Sequence, residues 1–385
     1  MNRLNLLFLL LGINFTTFAQ ETLYIGTYSV RGSEGIYVYS FNRENQSFSL
    51  KQTVITPESP SFLTISPDGN HLYSANRGGT KKHPDWGSVS SFSIDKKSNE
   101  LSPLNEISSY GISPCHVQVD DEQDWLYVSH YGGGSLSVFP IEEGTIGMLA
   151  DSIQHTGSSV NPNRQEAPHV HSIQSIPQSN YFITADLGLD YLKIYEMKDK
   201  NALLAPVAYM TTEAGAGPRH FSQLENSPYV YVAEELTSTV SVHYLSISER
   251  KTHQIQRIST LPESFSENNS VAVSTVAAST VAASTVADIH ISPDGKFLYV
   301  SNRGHNSLAI FEIDSSTGKL TSRGHQSTLG EIPRNFAIDP QGEFILVANQ
   351  NTDNVVFFKR DKKSGQLSPT ETELSVPSPV CLIIK

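Results

Sequence analysis

Cysteine is scarce in this chain. Cys115 and Cys381 are the only two in 385 residues, too few for a disulfide scaffold. Basic residues are also short, with 27 Lys and Arg against 39 Asp and Glu, a net charge of −12 and no basic cluster. Nucleic acid and anionic membranes are therefore excluded as expected partners. After the first residues no apolar run approaches the ~20 needed to cross a bilayer. No long stretch keeps a helical period.

The N-terminus is a separate matter. Arg3, the apolar run "LNLLFLLLG" and the small residues of "TTFA" before Gln20 read as a secretory signal peptide over residues 1–19, cleaved near Ala19. The expectation is an exported protein, periplasmic or secreted.

What the sequence has is repetition. "PSFLTISPDGNHLYSANRGG" (60–79), "VADIHISPDGKFLYVSNRGH" (286–305) and "PRNFAIDPQGEFILVANQNT" (333–352) align in one register, and weaker copies begin at Pro114, Pro168 and Pro218. Each copy holds an alternating strand, a tight turn and a second strand. A third strand such as "SLAIFEI" and a weaker fourth follow. Four short strands per ~45 residues mark a β-propeller blade. Six copies are complete. The seventh is split, because "TLYIGTYS" (22–29) begins at a second strand and "PSPVCLIIK" (377–385) stops after a first one. The expected fold is all-β: one seven-bladed propeller over residues 20–385, closed by pairing the two terminal strands. The repeated "STVAA" unit near 270–285 reads as a low-complexity insertion in an inter-blade loop.

The register sorts residues into columns. Counting from the proline, place three holds Leu63, Val117, His171, Phe221, Ile289, Phe336 and Leu382. That is a core column in which His171 stands out. Place one holds Ser61, Cys115, His169, Arg219, Ala287, Arg334 and Val380, at the start of each inner strand and so around one mouth of the central channel. Cys115 and Cys381 fall on opposite faces of separate blades, too far apart for a disulfide. The second strand returns to that mouth, bringing Arg77, Glu235 and Arg303, each preceded by residues such as Asn302 or Glu234. Arg77 alone reads as a structural turn residue. His169, His171, Arg219, Glu235 and Arg303 come from successive blades and converge on one sector, as a functional pocket would. The His-x-His pair could suit a metal, but two arginines would repel a cation and no third ligand is evident. No metal or cofactor is expected.

At these residues the sequence resembles the seven-bladed lactonase family, which includes propeller-type 6-phosphogluconolactonase and carboxy-cis,cis-muconate lactonizing enzyme. The carrying motifs are "YIGTYS", "PHVH", "GAGPRH", "EEL" and "SPDGKFLYVSNRGH". The resemblance implies a catalytic set of His169 or His171 with Arg219, Glu235 and Arg303. Arg334, Asn302, His220 and Glu234 are then expected to bind substrate. The chain has "AEEL" where the family pattern has "NEL", so the charge of Glu234 is expected to raise the neighbouring carboxylate's pKa or repel an anionic substrate. The implied activity is hydrolysis of a small anionic sugar lactone. The alternatives are a lactonizing cycloisomerase and a non-enzymatic binding propeller, the latter without a buried ionisable cluster.

Overall fold

The computed structural model describes residues 21–56, 58–78, 86–197, 204–268 and 284–385. The expected leader over 1–19 and nearly all of the "STVAA" segment lie outside the described residues.

Among the described residues the chain forms seven antiparallel sheets. Six follow one another along the chain, over 60–112, 114–154, 170–211, 218–259, 285–327 and 333–375, and are called blades 1 to 6. Blade 7 combines Pro379–Ile384, as its innermost strand, with strands over 21–55. Leu382 pairs with Ile25, and Lys385 exchanges both backbone hydrogen bonds with Thr22. Each innermost strand packs beside the next, and the last packs beside blades 6 and 1, closing the ring. Blade 2 differs in its outer part, where Thr145–Ile146 and Asp151–Gln154 both pair with the third strand.

The core is divided between the blades. Leu63, Val117, Ile173, Phe221, Ile289, Phe336 and Leu382 occupy one position of each innermost strand, and each belongs to a different buried apolar cluster. A second layer ties neighbouring blades together beside the channel. Ser172 donates to the Arg219 carbonyl at 2.8 Å, Asn335 donates to Asp288, and the Leu382 amide donates to Asn335 at 2.7 Å. Cys381 lies in the same layer, where its sulfur accepts from the Leu63 amide at 3.3 Å. Both cysteines are buried and free.

One expectation about the register is corrected. Every innermost strand carries a β-bulge near its start. In blade 4 it falls between Pro218 and His220, and in blade 3 between Val170 and Ser172. Val170, not Pro168, is therefore the equivalent of Pro218. His171 stands in the column of Arg219 and Arg334, and Ile173 fills the core column. The core column itself carries no imidazole. A bulge turns the extra residue's side chain out of the regular alternation, which brings His171 to the channel.

Candidate functional site

Glu235 is the centre of the charged cluster at the mouth. It follows the second strand of blade 4, and its amide is held by the Gly217 carbonyl at 2.8 Å. One carboxylate oxygen accepts from Arg164 at 2.6 Å, and the other lies 3.1 Å from both Arg219 and Arg303. Burial opposes its ionisation, but Arg303, Arg164 and Arg219 outweigh burial and hold it well below the usual carboxylate range. Arg219 is itself buried and donates to the Ala287 carbonyl. Burial first, then Arg334 and Arg303, bring its pKa down to about 9, so it stays charged at neutral pH.

Two more guanidiniums face the same space. Arg77 donates to the Tyr28 hydroxyl at 3.1 Å and lies 5.8 Å from the centre of the Tyr131 ring. Arg334 lies 5.2 Å from the centre of the Tyr28 ring. The mouth thus gathers Arg77, Arg164, Arg219, Arg303 and Arg334, three of them on Glu235, in a protein whose net charge is −12. So dense a cationic patch on an acidic protein favours an anionic ligand.

The two histidines differ in what holds them. His169 stacks on Tyr131, with ring centres 4.5 Å apart, and its Nδ1 lies 2.7 Å from the Tyr131 carbonyl. A carbonyl can only accept, so Nδ1 carries a proton, and in the neutral tautomer Nε2 is the lone pair. Nε2 lies 3.5 Å from the exposed Glu166 carboxylate. His171 is buried deeper, edge-on to Tyr131 at 5.5 Å and to His220 at 5.2 Å. Burial, then Arg219, His220 and Arg334, keep it neutral. The Cys115 thiol beside it is pushed up to about 11 by burial and is no nucleophile at neutral pH.

His220 lies on the same side, beneath Arg219, with Nδ1 at 2.8 Å from Asp288. Asn302 and Glu234 correct the expectation that they bind substrate. Asn302 is fully buried, accepting from the Thr260 hydroxyl at 2.7 Å and donating to its carbonyl at 2.9 Å. Glu234 is equally buried and turns to the outer strands, where it accepts from Thr239 at 2.5 Å and Arg257 at 2.6 Å. Their column runs alternately to that of Glu235 and Arg303, so its side chains point into the sheet rather than the mouth. The charge introduced by "EEL" is thus answered by Arg257 and faces away from Glu235.

Arg164 and Tyr131 were missed as site residues. Arg164 comes from a loop outside every repeat column, before "PHVH". That loop is anchored by Gln165, which donates to the Leu187 carbonyl at 2.9 Å and to Asp190 at 2.7 Å. Asp190 also accepts from the Gly217 amide at 2.8 Å. Gly217 has φ +66°, and a Cβ there would strike Leu236 and Leu187. One buried carboxylate therefore fixes both the loop carrying Arg164 and the turn before Arg219. Tyr131 follows the second strand of blade 2, at the position that holds Glu235 and Arg303 in blades 4 and 5, with no sign in its residue type that it would stack on His169.

Comparison with known proteins agrees with this architecture. The family described as "Lactonase, 7-bladed beta-propeller" matches residues 22–384. A 6-phosphogluconolactonase of Bacillus subtilis is 34% identical over 360 residues, covering 93% of this chain and 97% of its own. A 6-phosphogluconolactonase of Formosa agariphila is 34% identical over 323 residues, covering 82% and 86%. Among solved structures, the periplasmic gluconolactonase of Pseudomonas aeruginosa superposes with a TM-score of 0.83 at 29% identity, covering 95% of this chain and 99% of its own.

Proposed function

Since the chain belongs to the seven-bladed β-propeller lactonase family, we propose that it hydrolyses a small anionic sugar lactone at the arginine-lined mouth. The observation that carries this reading is the set of five guanidiniums at the mouth, three of them on Glu235, beside an imidazole whose tautomer is fixed. A non-enzymatic binding propeller would not need that buried ionisable cluster.

In this reading His169 Nε2 takes a proton from water as the water attacks the lactone carbonyl. Arg219 and Arg303 donate to the oxygen that becomes negative. Glu235 uses part of each arginine's fork, holds both in place and leaves other N–H groups to donate. Glu235 is too acidic to be the base. When the ring C–O bond breaks, the leaving alkoxide takes the proton held by His169. The other arginines hold the substrate's anionic group. His171, neutral and deeper, orients Tyr131 and so the ring of His169.

The similarity to the periplasmic Pseudomonas protein supports export, as does the leader read in residues 1–19. The test is a hydrolysis screen of purified protein with sugar lactones, phosphorylated and not, followed by proton release. His169→Ala should lower turnover by ~10²–10⁴-fold, and Arg303→Ala by ~10²–10³-fold. Failure to hydrolyse any lactone above the spontaneous rate would refute the proposal.

A further inference from the structure

Beneath the arginines, the channel holds a second polar group that the hydrolysis scheme leaves unused. His220 Nδ1 lies 2.8 Å from one oxygen of Asp288. The other Asp288 oxygen lies 2.9 Å from His290 Nε2 and accepts from Asn335 Nδ2. Asp288 and Asn335 are buried, as is His220, which is 6% exposed. His220 Nε2 is buried with no hydrogen-bond partner among the described residues.

The chemistry of that nitrogen follows from its partner. An ionised carboxylate only accepts, so His220 Nδ1 carries the proton. Burial and Arg219 bring the His220 pKa down to about 4, against the pull of Asp288, so Nε2 is a bare lone pair at neutral pH. The two ring nitrogens point in diverging directions. With Nδ1 on blade 5, Nε2 faces away from that blade. The rings of His171, His116 and Phe62 stand on this inner side, with centres 5.2, 5.7 and 5.9 Å away. The guanidiniums above can only donate. A buried acceptor below them is costly unless something donates to it.

We propose that the floor of the mouth is a hydroxyl-recognition site, in which His220 Nε2 accepts a hydrogen bond from a ligand hydroxyl and Asp288 is the positioning residue that keeps that nitrogen unprotonated. The ligand class is an anion carrying hydroxyl groups at a distance from its charge. The proposal deepens the lactonase reading but is tested by binding, so each can fail alone.

The probes are gluconate and hexanoate, six-carbon carboxylates with and without hydroxyls, measured calorimetrically on the whole protein. Gluconate should bind at least about tenfold tighter, since a hydrogen bond to a buried acceptor is worth about that factor. His220→Phe should remove the preference while leaving hexanoate affinity unchanged, and His220→Gln, whose amide oxygen accepts, should restore part of it. Asp288→Asn should move the His220 proton to Nε2, seen by ¹⁵N NMR, and should abolish the preference in a protein that still binds hexanoate. Equal binding of the two probes, a preference that survives His220→Phe, or a protonated Nε2 in the unaltered protein would each overturn the proposal. A protein that prefers gluconate in this way yet hydrolyses no lactone would keep the floor site and lose the lactonase reading.

Discussion

Arg164 and Glu235 stand 71 positions apart in the chain and 2.6 Å apart at the mouth. Arg164 arrives on a loop, whereas Arg219, Arg303 and Arg334 arrive on blades. It is also partly open to solvent, with 22% side-chain exposure. Removing it leaves Glu235 paired with two other arginines. Arg164→Ala should therefore shift the melting temperature little and lower kcat/KM by ~10–100-fold, mainly through KM. A large loss of stability with unchanged kinetics would make Arg164 a structural tie.

Glu235→Gln has the opposite balance. It removes the one carboxylate between Arg164, Arg219 and Arg303, leaving buried like charges facing one another. Breaking a buried pair in this way costs ~3–5 kcal/mol. The variant should melt well below the parent and gain more stability from added phosphate than the parent does, because an anion can take the place of the lost charge. Equal stabilisation of the two proteins would show that the mouth does not hold phosphate in place of Glu235.

Glu234 answers to a different partner. Arg257→Ala would leave its buried carboxylate without a cation, again a loss of ~3–5 kcal/mol, while the mouth keeps all its residues. The melting temperature should fall and kcat should stay within about twofold at temperatures where the variant is folded. A fall in kcat with unchanged stability would return Glu234 to the site.

Acid should unfold this protein early. Burial and neighbouring cations hold His171 and His116 neutral well below the ordinary histidine range, and His220 down to about 4. As pH drops below about 6.5, the unfolded chain takes up protons that the folded protein refuses. This contribution to stability is complete above about 6.5 and is lost progressively toward pH 4, before Glu235 can be protonated. Thermal melts across that range should show the decline. His171→Phe should make its slope shallower by about one proton, and an unchanged slope would mean that His171 titrates alike in both states.

The fold was largely legible, because each blade repeats its turn and its alternation. The split blade could be read from a strand missing at one end and a spare strand at the other. His171 was misplaced because "PHVH" offers a proline where the other copies have one, and the bulge that sets the register is a backbone feature with no fixed residue type. Glu235, Arg219 and Arg303 could be found because they occupy columns that reach the mouth. Asn302 and Glu234 were misread because neighbouring positions of one strand end face opposite ways. Arg164 lay outside the repeat, where no periodicity could report it, and its place depends on Asp190, whose contacts exist only after folding.

Blade 7 also sets a clock. Its innermost strand, Pro379–Ile384, is made after blades 1 to 6, while its partner Glu21–Thr27 is made before them. Through synthesis the ring has two open edges, and the early strand waits about 350 residues for its mate. Blades 1 to 6 can form as local hairpins, but this pairing is the longest-range strand pairing among the described residues and the slowest kind to make. The step that seals the ring therefore falls after blade 6 has been made, and a chain arrested before that point keeps two unpaired sheet edges.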